Sequence, residues 1–162
     1  MLKAYPVVVD VVVVWGSMDA LGHVNNIVFL QYFETARIAY LERVGIEFAG
    51  LASSEHGVIL AASSCRYRVP VTFPDTLSIG VRVSALGNDR MIMEHAATSR
   101  KLGKLVVEGD ALVVSYDYLA GRATPFRADH RAAIIALEGR EPAPLSRRTR
   151  LARAGEQYGS CG

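Results

Sequence analysis

An α+β fold, with one long apolar helix laid along a curved antiparallel sheet, is what this 162-residue sequence predicts. Three observations point to it. A Val-rich strand precedes a helical stretch that runs from about Asn26 to Val44 with no internal Gly or Pro. The strand-like segments near the end of the pattern are joined by turns too short for crossovers, so they must pair antiparallel. The helix itself is apolar around most of its circumference and needs a sheet to bury against.

The elements follow in order. Val7–Trp15 is almost pure Val around Asp10, and its lack of alternation predicts a strand buried on both faces. Gly16 and Ser17 break it. In the helix, Gln31, Glu34, Thr35 and Glu42 share one polar face, and Gly45 supplies a left-handed stop. Val58–Val69 reads as a strand closed by Pro70. Leu77–Ala85 alternates, with Leu77, Ile79, Val81, Val83 and Ala85 on one face. Turns at Leu86–Arg90 and Arg100–Lys104 flank a strand at Met91–Ser99, and Leu105–Leu119 is a long strand. Gly121–Pro125 ends it, and Phe126–Leu137 forms a short helix. Residues 1–138 therefore read as one domain, and 139–162 as a disordered basic tail.

Composition narrows the class. The chain is 51% hydrophobic and carries a formal charge of +2, enough core for a globular domain and too little charge to argue for nucleic acid. Much of the positive excess lies in Arg147, Arg148, Arg150 and Arg153. Two cysteines, Cys65 and Cys161, make no disulfide framework, and no signal peptide or membrane-spanning run is visible. A cytoplasmic protein is expected.

Trp15–Leu30 is the stretch that carries chemistry. It sets Asp19 against a Gly-His-Val-Asn-Asn turn that opens the helix. A carboxylate serves as base or nucleophile, and free N–H groups at a helix start polarise a carbonyl. The alternative is structural: Asp, Asn and Gly are also ordinary turn and capping residues. Asn25 and Asn26 side chains fit that capping role, and Gly22 a positive φ or a close backbone approach.

Asp19-Ala-Leu-Gly-His-Val-Asn-Asn26, followed by Tyr32-Phe-Glu-Thr-Ala-Arg37, resembles the acyl-CoA thioesterases of the hotdog fold, in their 4-hydroxybenzoyl-CoA thioesterase-like branch. Cys65-Arg-Tyr-Arg-Val-Pro70 and Phe73-Pro-Asp-Thr-Leu77 support the resemblance. It implies a long helix wrapped by a curved five- to six-stranded antiparallel sheet, and homodimers or homotetramers with active sites at the subunit interface. It implies that Asp19 attacks the thioester or activates water, and that the Asn26 N–H binds the thioester oxygen. His23 is then either a general acid or a turn histidine, with Gly22, Val24 and Asn25 lining the substrate. No cofactor is implied beyond the CoA of the substrate. Ser17 and Phe29 depart from the family pattern, where an acid and a tyrosine are common.

CoA phosphates call for cations, and Arg90, Arg100, Lys101 and Lys104 on turns are the candidates, although surface cations are commonly just solvated. Glu34 and Arg37 are spaced to pair along the helix and read as structural. His56, His95 and His130 are scattered without metal-ligand spacing, and Cys65 reads as a buried thiol. There is no Gly-x-Ser-x-Gly elbow or phosphate loop. The rivals to a thioesterase are a non-catalytic acyl-CoA-binding protein and, more remotely, a hotdog hydroxyacyl-thioester dehydratase, whose His-Phe-Pro signature is absent.

Overall fold

Pairing between distant strands organises the computed structural model, which describes residues 1–46, 48 and 56–145. Strand β1 is Val7–Val13 and is followed by a short 3-10 turn at Trp15–Ser17. Helix α1 is Asn26–Arg43, and strands β2 to β5 are Gly57–Tyr67, Asp75–Leu86, Arg90–Ser99 and Lys104–Asp117. A two-residue β6 (Arg122–Ala123), helix α2 (Ala128–Glu138) and a two-residue β7 (Ala143–Pro144) complete the order.

The sheet runs β1-β3-β4-β5-β2, with β6 paired to β5 and β7 to β3. The five long strands are antiparallel throughout, but β7 lies parallel to β3, Ala85 beside Ala143. The sheet thus has seven strands rather than the five or six expected, because two short segments pair at its ends.

Helix α1 starts where Asn25 caps it, the Asn25 side chain accepting from the Ile27 N–H, and stops at Gly45, whose φ is +81°. Its buried residues, among them Phe29, Phe33, Ala36 and Tyr40, pack mainly over β1 and β3. Each large apolar side chain buried this way contributes about 1.5–3 kcal/mol. Gln31, Glu34, Thr35 and Glu42 face outward as expected, but Ile27 and Leu30 are exposed beside them. The sheet therefore covers one side of the helix. Contact with β2 is light, so the β2 half of this sheet face is left open.

Three expectations are corrected. β1 is not buried on both faces: Val7 and Val13 are inside, while Val8 and Val12 are exposed on the side of Asp10. Nothing in the described residues covers that face. The alternation of β3 fails at its end, because a register shift between Val83 and Ala85 turns Leu86 inward instead of Ala85. The segment after Gly139 begins in order: β7 pairs with β3 and Leu145 is buried. Residues 146–162, with Cys161 and the arginine cluster, lie outside the described residues.

Candidate active site

A loop between two pinned ends presents Asp19. At its base Met18 and Val24 form an antiparallel bridge, and the Asp19 N–H donates to the His23 carbonyl at 2.8 Å. Gly22, at φ +79°, closes the turn by donating to the Asp19 carbonyl at 3.0 Å. One carboxylate oxygen of Asp19 accepts from the Leu21 N–H at 2.8 Å. The other makes no hydrogen bond among the described residues. Asp19 is half-buried and His23 is exposed, with no side-chain partner among the described residues. Val24 is buried and donates to the Val71 carbonyl, and the Asn25 N–H donates to the Ser17 carbonyl.

The helix start distributes its amides unevenly. The Ile27 N–H goes to the Asn25 side chain at 3.1 Å and the Val28 N–H to the Asn25 carbonyl at 3.0 Å. The Asn26 N–H has no partner among the described residues. From the other side, the Tyr67 hydroxyl donates to the Asn26 carbonyl at 3.0 Å, and the Tyr67 ring meets Phe29 edge-on at 5.7 Å. Burial and the neighbouring Cys65 push the Tyr67 hydroxyl up to about 12, so it stays a donor at any physiological pH. Tyr32 adds a second tie, its hydroxyl donating to Ser17 Oγ at 3.3 Å.

The candidate cations split between the two ends of β3. Lys101 reaches Thr72 Oγ1 at 3.3 Å, its N–H donates to Asp75, and Arg100 pairs with Asp10. This is the end where the Phe73 N–H meets Met18 Sδ, beside the Asp19 loop. Arg90 follows the other end of the twelve-residue β3, beside Asp89 at 2.9 Å. Within one chain it does not join Arg100 and Lys101, because a strand of that length separates them.

A cavity of about 180 Å³ opens further along α1, between the helix and β2. Leu30, Glu34 and Arg37 line one wall, and Leu60, Ser63, His95 and Asp110 the other. Asp19, His23 and Asn26 do not line it. Among the described residues no cluster of His, Cys, Asp and Glu is placed to hold a metal, and no helix is long and apolar enough to cross a membrane.

A family model described as the thioesterase-like superfamily matches residues 13–134, most of the chain and the whole of this site. The chain belongs to that superfamily. A thioesterase of Thermus thermophilus, solved with coenzyme A and zinc, is 36% identical and superposes with a TM-score of 0.74, over 85% of this chain and 98% of that one. A putative thioesterase of Pseudomonas aeruginosa is 31% identical with a TM-score of 0.73, over 80% of this chain and 98% of its own. Among curated proteins, the uncharacterized YsmA of Bacillus subtilis is 22% identical over 75% of this chain and 80% of its own length. The α+β architecture is that of a hotdog-type thioesterase, and thioester hydrolysis is the chemistry of the superfamily.

Sequence reasoning did not single out Tyr67 or His95. Tyr67 stands in the Cys-Arg-Tyr-Arg-Val-Pro segment, and nothing there shows that its hydroxyl reaches the helix start. His95 follows Met91 and Met93 at strand alternation, which does signal an inward histidine.

Proposed function

We propose that the chain hydrolyses acyl-CoA thioesters, with Asp19 as nucleophile or general base and the Asn26 N–H as oxyanion donor. The observation that carries this reading is the Asn26 amide: among the described residues it has no partner, at a helix start whose next two N–H groups are both taken. A helix N-terminus adds a positive partial charge at that point. The substrate carbonyl oxygen accepts from this N–H, and negative charge builds there as the carbonyl carbon is attacked. Asp19 then acts in one of two ways. It adds directly, expelling CoA thiolate and leaving an acyl-aspartyl anhydride that water cleaves, or it takes a proton from the attacking water. Either way one water is consumed, and a carboxylic acid and CoA leave.

His23 is available as an acid for the departing thiolate, although such a leaving group needs little help. Gly22, Val24 and Asn25 hold the turn against the thioester. Arg100 and Lys101 at the Asp19 end of the sheet suit the CoA phosphates, and the CoA complex of the Thermus thermophilus relative supports that ligand.

Among the described residues β2 is the last strand of the sheet, and its Leu60 is exposed. A second copy of the chain against that edge, in a homodimer or homotetramer, would bring the sites to an interface; analytical ultracentrifugation tests it, and a monomer at micromolar concentration rejects it.

The test of the chemistry is thiol release from a panel of acyl-CoAs, wild type beside Asp19→Asn. A fall in kcat of about a hundredfold or more, on the order expected for losing the base or nucleophile, supports the reading. Equal slow release by both, or binding without release, makes the chain a non-catalytic acyl-CoA-binding protein.

A further inference from the structure

The cavity between α1 and β2 holds a polar group that the proposed chemistry does not use. His95 is 2% exposed, stacks on Phe33 with ring centroids 4.9 Å apart, and lines the cavity. Among the described residues neither of its ring nitrogens has a partner that meets hydrogen-bond distance and angle, although the Gly109 and Met93 backbones lie near enough to act on the ring. A buried, unsatisfied imidazole is costly and calls for a partner. Arg37 lies beside it, 8% exposed. Among the described residues its one side-chain partner is Glu34, at 3.5 Å and with a carboxylate side chain 60% exposed. A guanidinium carries five N–H donors, so a single long contact to a solvated carboxylate leaves most of them unfilled.

The cavity also lies on the path of an acyl chain. β2 runs back along α1: Tyr67 touches Asn26, while Ser63 and Leu60 face the cavity opposite Leu30, Glu34 and Arg37. On a helix rising about 1.5 Å per residue, Leu30 to Glu34 lies roughly 6–12 Å beyond Asn26, the reach of an acyl chain of about six to ten carbons. The volume of about 180 Å³ suits the far end of such a chain, since an apolar cavity of about 150 Å³ holds one benzene.

Resting on the acyl-CoA reading, we propose that Arg37 and His95 bind a carboxylate at the far end of the acyl group, so that the substrate is the CoA monothioester of a medium-chain dicarboxylic acid. The guanidinium donates to the carboxylate oxygens and an imidazole N–H adds a further bond, which fills donors left unused among the described residues. Asp110 also lines the cavity, and burial with the nearby Glu94 raises its carboxyl above the usual range, which lessens its repulsion of a bound carboxylate. Burial keeps His95 uncharged, so it acts as a neutral donor while Arg37 supplies the charge. Hydrolysis adds water across the acyl–sulfur bond and releases a dicarboxylic acid and CoA.

The experiment compares kcat/KM on octanoyl-CoA and on its ω-carboxyl counterpart, in the wild type, Arg37→Met and His95→Phe. The expected result is a wild-type preference of about tenfold or more for the ω-carboxyl substrate, the order a charge-assisted hydrogen bond confers, with the ratio collapsing in both variants. Because Arg37→Met risks misfolding, wild-type protein is also titrated with monomethyl octanedioate and with methyl octanoate while the His95 ring signals are followed by NMR. The carboxylate should move them and the plain ester should not. Equal or faster turnover of octanoyl-CoA, or His95 signals unmoved by saturating monomethyl octanedioate, overturns the proposal. If neither thioester is cleaved, the hydrolase reading fails instead, and the titration alone decides whether the cavity binds carboxylate.

Discussion

Asn26 occupies the first position of α1, where a backbone N–H has no intrahelical carbonyl to reach. That position is also the one place in a helix where proline is tolerated, and Asn25, at φ −58° and ψ 139°, already has the extended geometry a following proline requires. Asn26→Pro therefore removes one N–H with little effect on the fold. It should lower kcat by about a hundred- to a thousandfold if that amide is the oxyanion donor, whereas Asn26→Ala keeps the amide and most of the activity. Steady-state kinetics with thermal melts on both variants checks it. Tyr67→Phe takes away the hydroxyl that holds the Asn26 carbonyl and should cost about 1 kcal/mol of stability, read from denaturant titration. His95 gives a pH signature. Burial, with Arg37 adding to it, pulls its pKa down to about 3, while the unfolded imidazole protonates near 6.5. Its contribution is complete above about pH 6.5 and is lost as pH falls toward 3, at roughly 1.4 kcal/mol per unit. Between about pH 7 and 4.5 the wild type should lose about 2–3 kcal/mol more stability than His95→Phe, measured by melts at both values.

Within the elements, spacing made most of the structure legible. The helix from Asn26, its stop at Gly45, and strands β2 to β5 all follow from apolar periodicity and turn residues. The misreadings share one cause. β1 is uniformly apolar, and composition cannot tell a strand covered on both faces from an edge strand awaiting a cover. The bulge after Val83 leaves no local mark, since Ser84 and Ala85 suit either face. Cross-strand contact also explains a glycine that sequence left unremarked. A Cβ on Gly109 would run into the Ser64 carbonyl and stand 3.0 Å from the Phe33 ring, in the middle of the β2–β5 pairing. Gly109→Ala should destabilise by about 1–3 kcal/mol through overpacking, and loosening of β2 should appear as faster amide exchange at its paired residues.

Across the whole molecule, one carboxylate ties three elements. Glu138, the last residue of α2, accepts from the Tyr40 hydroxyl of α1 and from the Val83 N–H of β3, both at 2.7 Å. Glu138→Ala would strand two donors, both on buried residues, and should cost about 2–4 kcal/mol, a large share of the roughly 5–15 kcal/mol that holds a domain of this size together; chemical denaturation measures it. The same long-range logic divides what was legible at the site. Asp19, Gly22 and Asn26 are neighbours in sequence, so a loop and a helix start bring them together without help from the rest of the fold. Arg90 and Lys101 are close in sequence but stand at opposite ends of the sheet, because a whole strand runs between their turns. What the chain order determined alone was the set of elements, the helix boundaries and the loop that presents Asp19, since these depend on neighbouring residues. What only the tertiary structure decided was the Tyr67 anchor, the open face of β1, and the pocket where Arg37 and His95 meet, because register and strand order bring together groups that local patterning leaves unrelated.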